Sequence, residues 1–349
     1  MFLKLQFVKK KFFLKDSFRI SRENKKFIKT IIIKLTENDR SGFAECVPYK
    51  RYGETQEKIF LYLKKNEYEI TRLIRQNRLQ EIKYLSLRTA LELAFKHLNI
   101  KKNEKNYLSK KYQTSITIPI FGQEKLEKII HKFKNVNFIK VKVNKNNILK
   151  TIKFINKKCP KSKIIIDANE GLNFILLKKI IKDLEKLNVI IIEQPLKYGL
   201  DYKLVNIKTK ILFCADESFH IKNKNKILKY YQVINLKLDK FGGLSKSLEI
   251  IKFLKTKNKK ILLGCMVSSS LSIIPALSLA KYCNFLDLDG AYFLKKDFKN
   301  GITYKDSNLL LNKNFISLNK KVAQPKNYSN GLKIKLRLKI IKAQLHFIE

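Results

Sequence analysis

Five apolar runs in the middle of the chain end in ionisable side chains, and those ends recur every 21 to 26 residues. The runs are FIKVKV with Lys140 and Lys142, IIIDANE with Asp167, VIIIEQP with Glu193, ILFCADES with Asp216, and VINLKL with Lys237. A period of this size, with amphipathic helical sequence between the runs, is one strand and its crossover helix. Repeated units of that kind close into a barrel whose chemistry gathers at the C-terminal strand ends. Three carboxylates flanked by lysines then belong to one site.

The order of the charges narrows the chemistry. Asp167, Glu193 and Asp216 on three neighbouring strands offer oxygen ligands, which a hard divalent cation such as Mg²⁺ prefers. Lys142 precedes this trio and Lys237 follows it, so in a closed barrel the two amines approach a metal-bound substrate from opposite sides. Strand parity supports these lysines. Lys140 and Lys142 share one face against Ile139, Val141 and Val143, and Asn235 with Lys237 opposes Ile234, Leu236 and Leu238. Lys240 has the wrong parity and lies beyond the strand. His131 and His220 sit in unrelated contexts and read as helix-surface or loop residues.

A chain of 349 residues, 45% hydrophobic, can bury a barrel core and still hold a second, smaller domain. Its net charge of +46 raises the question of nucleic acid. The lysines are spread along the whole chain among Asn and Ile rather than gathered in a patch, which makes a basic, non-catalytic nucleic-acid-binding barrel the weaker reading. Five cysteines, an odd number without a CxxC pair, fit buried thiols in a reducing cytoplasm better than a disulfide framework. Charges interrupt every apolar run near the N-terminus, and no later segment offers about 18 uncharged apolar residues. The expectation is a soluble, cytoplasmic protein with no membrane partner.

The pattern divides the chain into an α+β capping domain over residues 1–112, a TIM-like (β/α)7β barrel over 113–312, and a C-terminal segment with a basic tail over 313–349. SITIPI is the expected first barrel strand, ILLGCMV the seventh and NFLDLDG the eighth. In the capping domain, residues 57–76 and 84–98 read as helical.

KVKV, DANEG, EQPL, ADES, NLKLDKFGGL and LDLDG, in that order and at one-unit spacing, resemble the enolase superfamily, and within its muconate-lactonising subgroup the dipeptide epimerases. The resemblance spans residues 18–311. GFAECVPYKRYGET resembles the capping-domain motif, SLRTALELAFKHL the helix leading into the barrel, and GITYKDSNLLL the segment returning to the cap. It implies an isomerase with one Mg²⁺ per subunit, held by Asp167, Glu193 and Asp216, with Lys142 and Lys237 as catalytic bases. It further implies substrate contacts from Thr117 and Lys140, and an α-ammonium site at Asp287 and Asp289. Asn169 and Glu217 would orient the ligands. The capping loop at 18–27 carries Arg19, Arg22, Lys25 and Lys26, of which Lys25 is the chosen partner for a substrate side-chain carboxylate. Three departures stand out: Glu23 where a glycine is usual, Ser268 where many relatives have Glu, and a tail without the family's glycine-containing ending. A small dipeptide such as L-Ala-D/L-Glu from cell-wall peptide recycling is the implied substrate, and homo-oligomerisation stays open. A cycloisomerase or an o-succinylbenzoate synthase is the alternative within the subgroup, from which the LDLDG pair separates it.

The chemistry explains why such a site needs these groups. A proton α to a carboxylate is a very weak acid, and removing it creates an enediolate whose charge must be neutralised as it forms. A divalent metal on the substrate carboxylate supplies that neutralisation. A cation and a second ammonium beside Lys142 disfavour its charged form, which suits a base. One lysine takes the proton and the other returns one to the opposite face, which is epimerisation.

Overall fold

The computed structural model describes residues 3–19, 24–99, 111–220, 224–312 and 315. The capping unit is an antiparallel sheet in the order β1 (Lys4–Arg19), β2 (Asn24–Glu37), β3 (Arg40–Cys46), followed by helices α1 (Gln56–Lys65), α2 (Glu67–Arg75) and α3 (Leu85–Leu98). Period-2 alternation sends Ile31, Ile33 and Leu35 of β2 into one core with Ile59, Leu63, Ile70 and Leu87 of the helices. Burying each such side chain contributes about 1.5–3 kcal/mol. Phe12, Leu14 and Ile28 on the sheet pack instead with Leu294, which joins the cap to the second unit. The helical stretch at 57–76 is two helices, because Asn66 ends α1 and begins α2 while its side-chain amide donates to the Tyr62 carbonyl.

The second unit is the expected barrel. β5 (Ile116–Ile118), β6 (Phe138–Lys142), β7 (Lys163–Asp167), β8 (Val189–Glu193), β9 (Leu212–Ala215), β10 (Val233–Leu236), β11 (Lys260–Gly264) and β12 (Phe285–Asp287) run parallel in chain order. Ser115 closes the ring between β5 and β12, its N–H donating to the Leu286 carbonyl at 2.9 Å. The helices between strands are α4 (Gln123–Ile129), α5 (Ile148–Lys158), α6 (Phe174–Leu184), α7 (Lys224–Ile227), the single turn α8 (Leu238–Phe241), α9 (Leu244–Thr256) and α10 (Ser270–Ala276). Inside the barrel, Ile165, Ile191, Cys214, Val233 and Leu262 form a separate apolar layer. Two residues further along the same strands, on the same face, stand Asp167, Glu193, Asp216, Asn235 and Gly264.

Two motifs position the units against each other. Thr89 of α3 donates to the Leu238 carbonyl at 2.9 Å, and Glu92 accepts from the N–H and hydroxyl of Ser245 at 3.0 and 2.5 Å. The FGG turn makes room for that contact: Gly243 has φ +118°, and a Cβ there would lie 1.8 Å from a Glu92 oxygen. The GITYKDSNLLL segment departs from expectation. β13 (Thr303–Lys305) and β14 (Asn308–Leu310) form a hairpin that pairs with β4 (Tyr112–Gln113), just before the first barrel strand. Ser307 accepts from the Asn137 N–H ahead of β6, so this hairpin lies under the barrel's N-terminal end. The return to the cap comes earlier, where Lys295 N–H donates to the Phe13 carbonyl at 2.8 Å and Phe298 meets the Phe12 ring edge-on. Except for Phe315, the C-terminal segment and basic tail expected over 313–349 lie outside the described residues.

Candidate active site

Each candidate ligand sits where its strand ends. β7 closes on Asp167, β8 on Glu193, and Asp216 directly follows β9; Asp167 and Glu193 are register partners. All three are buried. Buried carboxylates require compensation, and four lysines provide it. Lys140 Nζ lies 2.9 Å from Asp167 Oδ2, 2.7 Å from Glu193 Oε2 and 2.7 Å from Asp287 Oδ2. Lys142 Nζ donates to Asp167 Oδ2 at 2.5 Å and to Asn169 Oδ1 at 3.1 Å. Lys237 Nζ donates to Asp216 Oδ2 at 2.6 Å.

Lys240 corrects the parity argument. It is buried, bonds the Asp216 carbonyl and lies 3.3 Å from Asp216 Oδ1. Parity governs a strand, but α8 begins immediately after Lys237, and a helical turn brings residues three apart onto one side. The Leu-Asp-Lys-Phe turn was the signal that places it.

The electrostatics follow from this packing. Burial alone would raise Asp167 and Asp216, yet Lys140 with Lys142, and Lys237 with Lys240, hold them well below the usual carboxylate range. Glu193 goes the other way: burial, then the charge of Asp167, pushes it up to about 7. Burial favours a neutral amine at Lys140 and Lys237, but the surrounding carboxylates outweigh it and keep both well above the ordinary lysine value. At Lys240 burial prevails and the value falls.

The supporting residues are built around these ligands. Asn169 donates its N–H to Asp167 Oδ1 at 3.1 Å and its side-chain amide to Glu217 Oε1 at 3.2 Å. It therefore joins the Lys142 side of the mouth to the residue beside Asp216. Asn235 donates to Glu193 Oε1 at 2.8 Å, and Gly264 leaves space for it, since a Cβ there would lie 2.3 Å from Asn235 Oδ1. His220 is edge-on to Tyr52 and Tyr198, with centroids 5.8 and 6.2 Å away, and His131 is an exposed turn residue.

A cavity of about 770 Å³ opens between the barrel mouth and the cap. Thr117, Lys140, Lys142, Asp216, Lys237, Asp287 and Asp289 line its floor, and Lys25 and Lys26 its cap wall. Lys25 Nζ lies 5.9 Å from the Tyr49 ring centroid. Arg22 lies outside the described residues, as does the Arg19 side chain. The Asp287 oxygens are engaged, Oδ1 by the Ser115 hydroxyl at 2.6 Å and Oδ2 by Lys140. Asp289 Oδ2 accepts from the Thr117 N–H at 2.6 Å; burial and the neighbouring Asp287 push it up to about 7. Ser268 is buried against the Met266 carbonyl.

The donor set suits a hard divalent cation: carboxylate oxygens from three adjacent strand ends, with Glu193 Oε2 buried and making no hydrogen bond despite its nearness to Lys140. Among the described residues no three acidic, histidine or cysteine side chains stand together as a finished cage. The Lys140 ammonium bridges Asp167, Glu193 and Asp287, and those of Lys237 and Lys240 pair with Asp216.

Residues 113–313 match the family described as enolase C-terminal domain-like. The chain is 34% identical to an N-acetyl-D-glutamate racemase of Pseudoalteromonas sp., over 80% of this chain and 92% of that one. It is 28% identical to the L-Ala-D/L-Glu epimerase of Escherichia coli, over 85% and 96%. Among solved structures, an Agrobacterium tumefaciens enolase family member with homology to dipeptide epimerases, holding sodium and L-Ala-L-Glu, superposes with a TM-score of 0.82 at 29% identity, covering 88% of this chain and 98% of that one. The strand-end carboxylates, the family match and these relatives converge: the chain belongs to the enolase superfamily, among its epimerases and racemases.

Proposed function

We propose that the chain epimerises a small glutamyl compound, first of all the dipeptide L-Ala-D/L-Glu, by moving a proton between two lysines. One observation carries this reading. Lys142 ends the second barrel strand and Lys237 follows the sixth, which puts them on opposite sides of an eight-stranded mouth with the three carboxylates on the strands between. An α-carbon held over those carboxylates has one amine on each face. A neutral lysine removes the α-proton, and the opposite ammonium delivers one to the other face; the reverse reaction exchanges their roles. Asp167 and Asn169 orient the Lys142 amine, and Asp216 orients that of Lys237. Mg²⁺ held by Asp167, Glu193 and Asp216 would neutralise charge developing on the substrate carboxylate. Lys25 and Lys26 on the cap wall suit a second carboxylate, such as a glutamyl side chain. Such a reaction would serve recycling of cell-wall peptides.

The occupied state of Asp287 favours a second reading, racemisation of an N-acylated glutamate. With both Asp287 oxygens engaged and Asp289 pushed to about 7, the pair is a weaker partner for an α-ammonium than two free carboxylates. The test incubates the enzyme in D₂O with Mg²⁺ and four compounds, L-Ala-L-Glu, L-Ala-D-Glu and the two N-acetylglutamates, and reads α-deuterium by mass spectrometry. Label and epimerisation on the dipeptides are expected, and Asp289→Asn should raise the dipeptide KM by about tenfold or more through loss of a charge-assisted partner. Label on N-acetylglutamate alone transfers the conclusion to the second reading. Lys142→Ala and Lys237→Ala should each lower epimerisation by about 10²–10⁴-fold while each still exchanges one epimer. Equal exchange of both epimers by both variants overturns the two-base assignment.

A further inference from the structure

We propose that Arg51 is a positioning residue for Lys142, acting from the capping domain through Glu170 and Asn169; this rests on the reading of Lys142 as one of two bases. Arg51 Nη1 and Nη2 donate to the two oxygens of Glu170 at 2.8 and 2.9 Å. Paired N–H donors on one carboxylate fix orientation as well as distance. Surface ion pairs contribute little in general, but the Glu170 side chain is only 9% exposed. It also accepts the Tyr198 N–H at 2.9 Å, and its own N–H donates to the Gln194 carbonyl at 2.8 Å. Glu170 is thereby held from three directions.

The neighbouring residue gives the pair its consequence. Asn169 and Glu170 have φ +43° and +66°, consecutive left-handed residues that side chains rarely adopt without outside support. That unusual backbone aims Asn169 Oδ1 at the Lys142 amine and Asn169 N–H at Asp167. Arg51 itself is held on the turn Lys50–Tyr52, closed by Gly53 at φ +77°, whose N–H donates to the Lys50 carbonyl at 2.9 Å. Tyr52 on the same turn contacts the rings of Tyr49 and His220, at 5.2 and 5.8 Å between centroids. A contiguous chain of contacts runs from cap turn to base. The Lys237 amine has different support, Asp216, which Lys240 holds from within the barrel. The Arg51–Glu170 chain thus ends at Lys142, whereas the cap meets the Lys237 segment by a separate contact, from Thr89 to the Leu238 carbonyl.

The experiment compares the two α-proton exchange rates, with Lys142→Ala identifying which epimer depends on which lysine. Arg51→Gln and Glu170→Gln should each slow the Lys142-dependent exchange by about tenfold or more and the Lys237-dependent exchange by less than about twofold. The double variant should be no slower than the slower single, because both changes remove one pair. An equal fall in both exchanges, or additive losses, overturns the proposal. A second measurement needs no substrate: amide hydrogen–deuterium exchange of the full chain should quicken over 50–54 and 168–172 in both single variants. Unchanged protection over 168–172 also overturns it. Absence of turnover on all four compounds by the unaltered enzyme counts against the proposed reaction and leaves this second measurement decisive.

Discussion

The lower and upper layers of the barrel interior come from the same strands, two residues apart, yet one is dry and the other ionic. Ile165, Ile191, Cys214 and Val233 occupy the lower layer, and Asp167, Glu193, Asp216 and Asn235 stand directly above them. The lower layer gains free energy from every apolar surface removed from water. The upper layer buries carboxylates that need four ammonium groups around them, an arrangement that hydrophobic packing of the same volume often equals or betters in stability. Backbone geometry is shared, so the last inward residue of each strand alone decides whether that strand contributes packing or chemistry.

Substitution in each layer separates the two roles. Glu193→Gln should lower kcat by about 10³-fold or more, because a preorganised charge is removed from the reacting centre. Calorimetric Mg²⁺ binding should weaken in parallel. Its unfolding free energy should change by less than about 1 kcal/mol, since Gln keeps the oxygen that Asn235 bonds and relieves a carboxylate crowded by Asp167. Full turnover by this variant, or by the unaltered enzyme in excess chelator, breaks the comparison. Ile191→Ala in the lower layer should cost about 2–5 kcal/mol of stability and leave kcat within a few-fold. A variant that keeps its stability and loses activity would show that the lower layer also shapes the site.

Legibility in the sequence followed the regularity of the backbone. Strand ends recurring at one-unit spacing, with a two-residue alternation, placed Lys142, Asp167, Glu193, Asp216 and Lys237 around one mouth, because inward positions in a parallel strand are fixed by parity. Lys240 escaped the same rule, since a helical turn replaces the strand at Leu238 and changes the period. GITYKDSNLLL resembles a segment returning to the cap, but it forms the hairpin Thr303–Lys305 and Asn308–Leu310 at the barrel's N-terminal end. Its partner, Tyr112–Gln113, is a two-residue strand too short to carry a sequence pattern. The Arg51–Glu170 pair joins residues 119 apart, and neither lies in a periodic element. Such contacts depend on how two units dock, which local patterning does not encode.

The seam between cap and barrel gives the finest version of the comparison, because among the described residues its carboxylates Glu45, Glu54 and Asp239 are buried with no lysine ion pair like those at the barrel mouth. Glu45 is buried with Oε2 accepting from the Ser269 N–H and hydroxyl at 2.9 and 2.5 Å, while Oε1 makes no hydrogen bond. Burial outweighs those bonds, and with Asp297 nearby it pushes Glu45 up to about 7. Asp239, which faces both Glu45 and Glu54, is raised well above the usual range, and Glu54 is raised too, each chiefly by burial. At the mouth, by contrast, ammonium groups hold Asp167 and Asp216 low. The sign follows directly: with a folded pKa above the unfolded value near 4.5, the native state binds more protons between those values, so stability falls as pH rises through that window. A shift of this size corresponds to about 3 kcal/mol, lost between pH ~4.5 and ~7. Glu45→Gln removes the titration while keeping an acceptor for Ser269, so its stability relative to the unaltered protein should improve by about 1–3 kcal/mol on moving from pH ~5 to ~8. Urea unfolding at the two pH values measures this, and an identical pH dependence in both proteins would mean that Glu45 titrates alike in the folded and unfolded chain and is not held protonated in the seam.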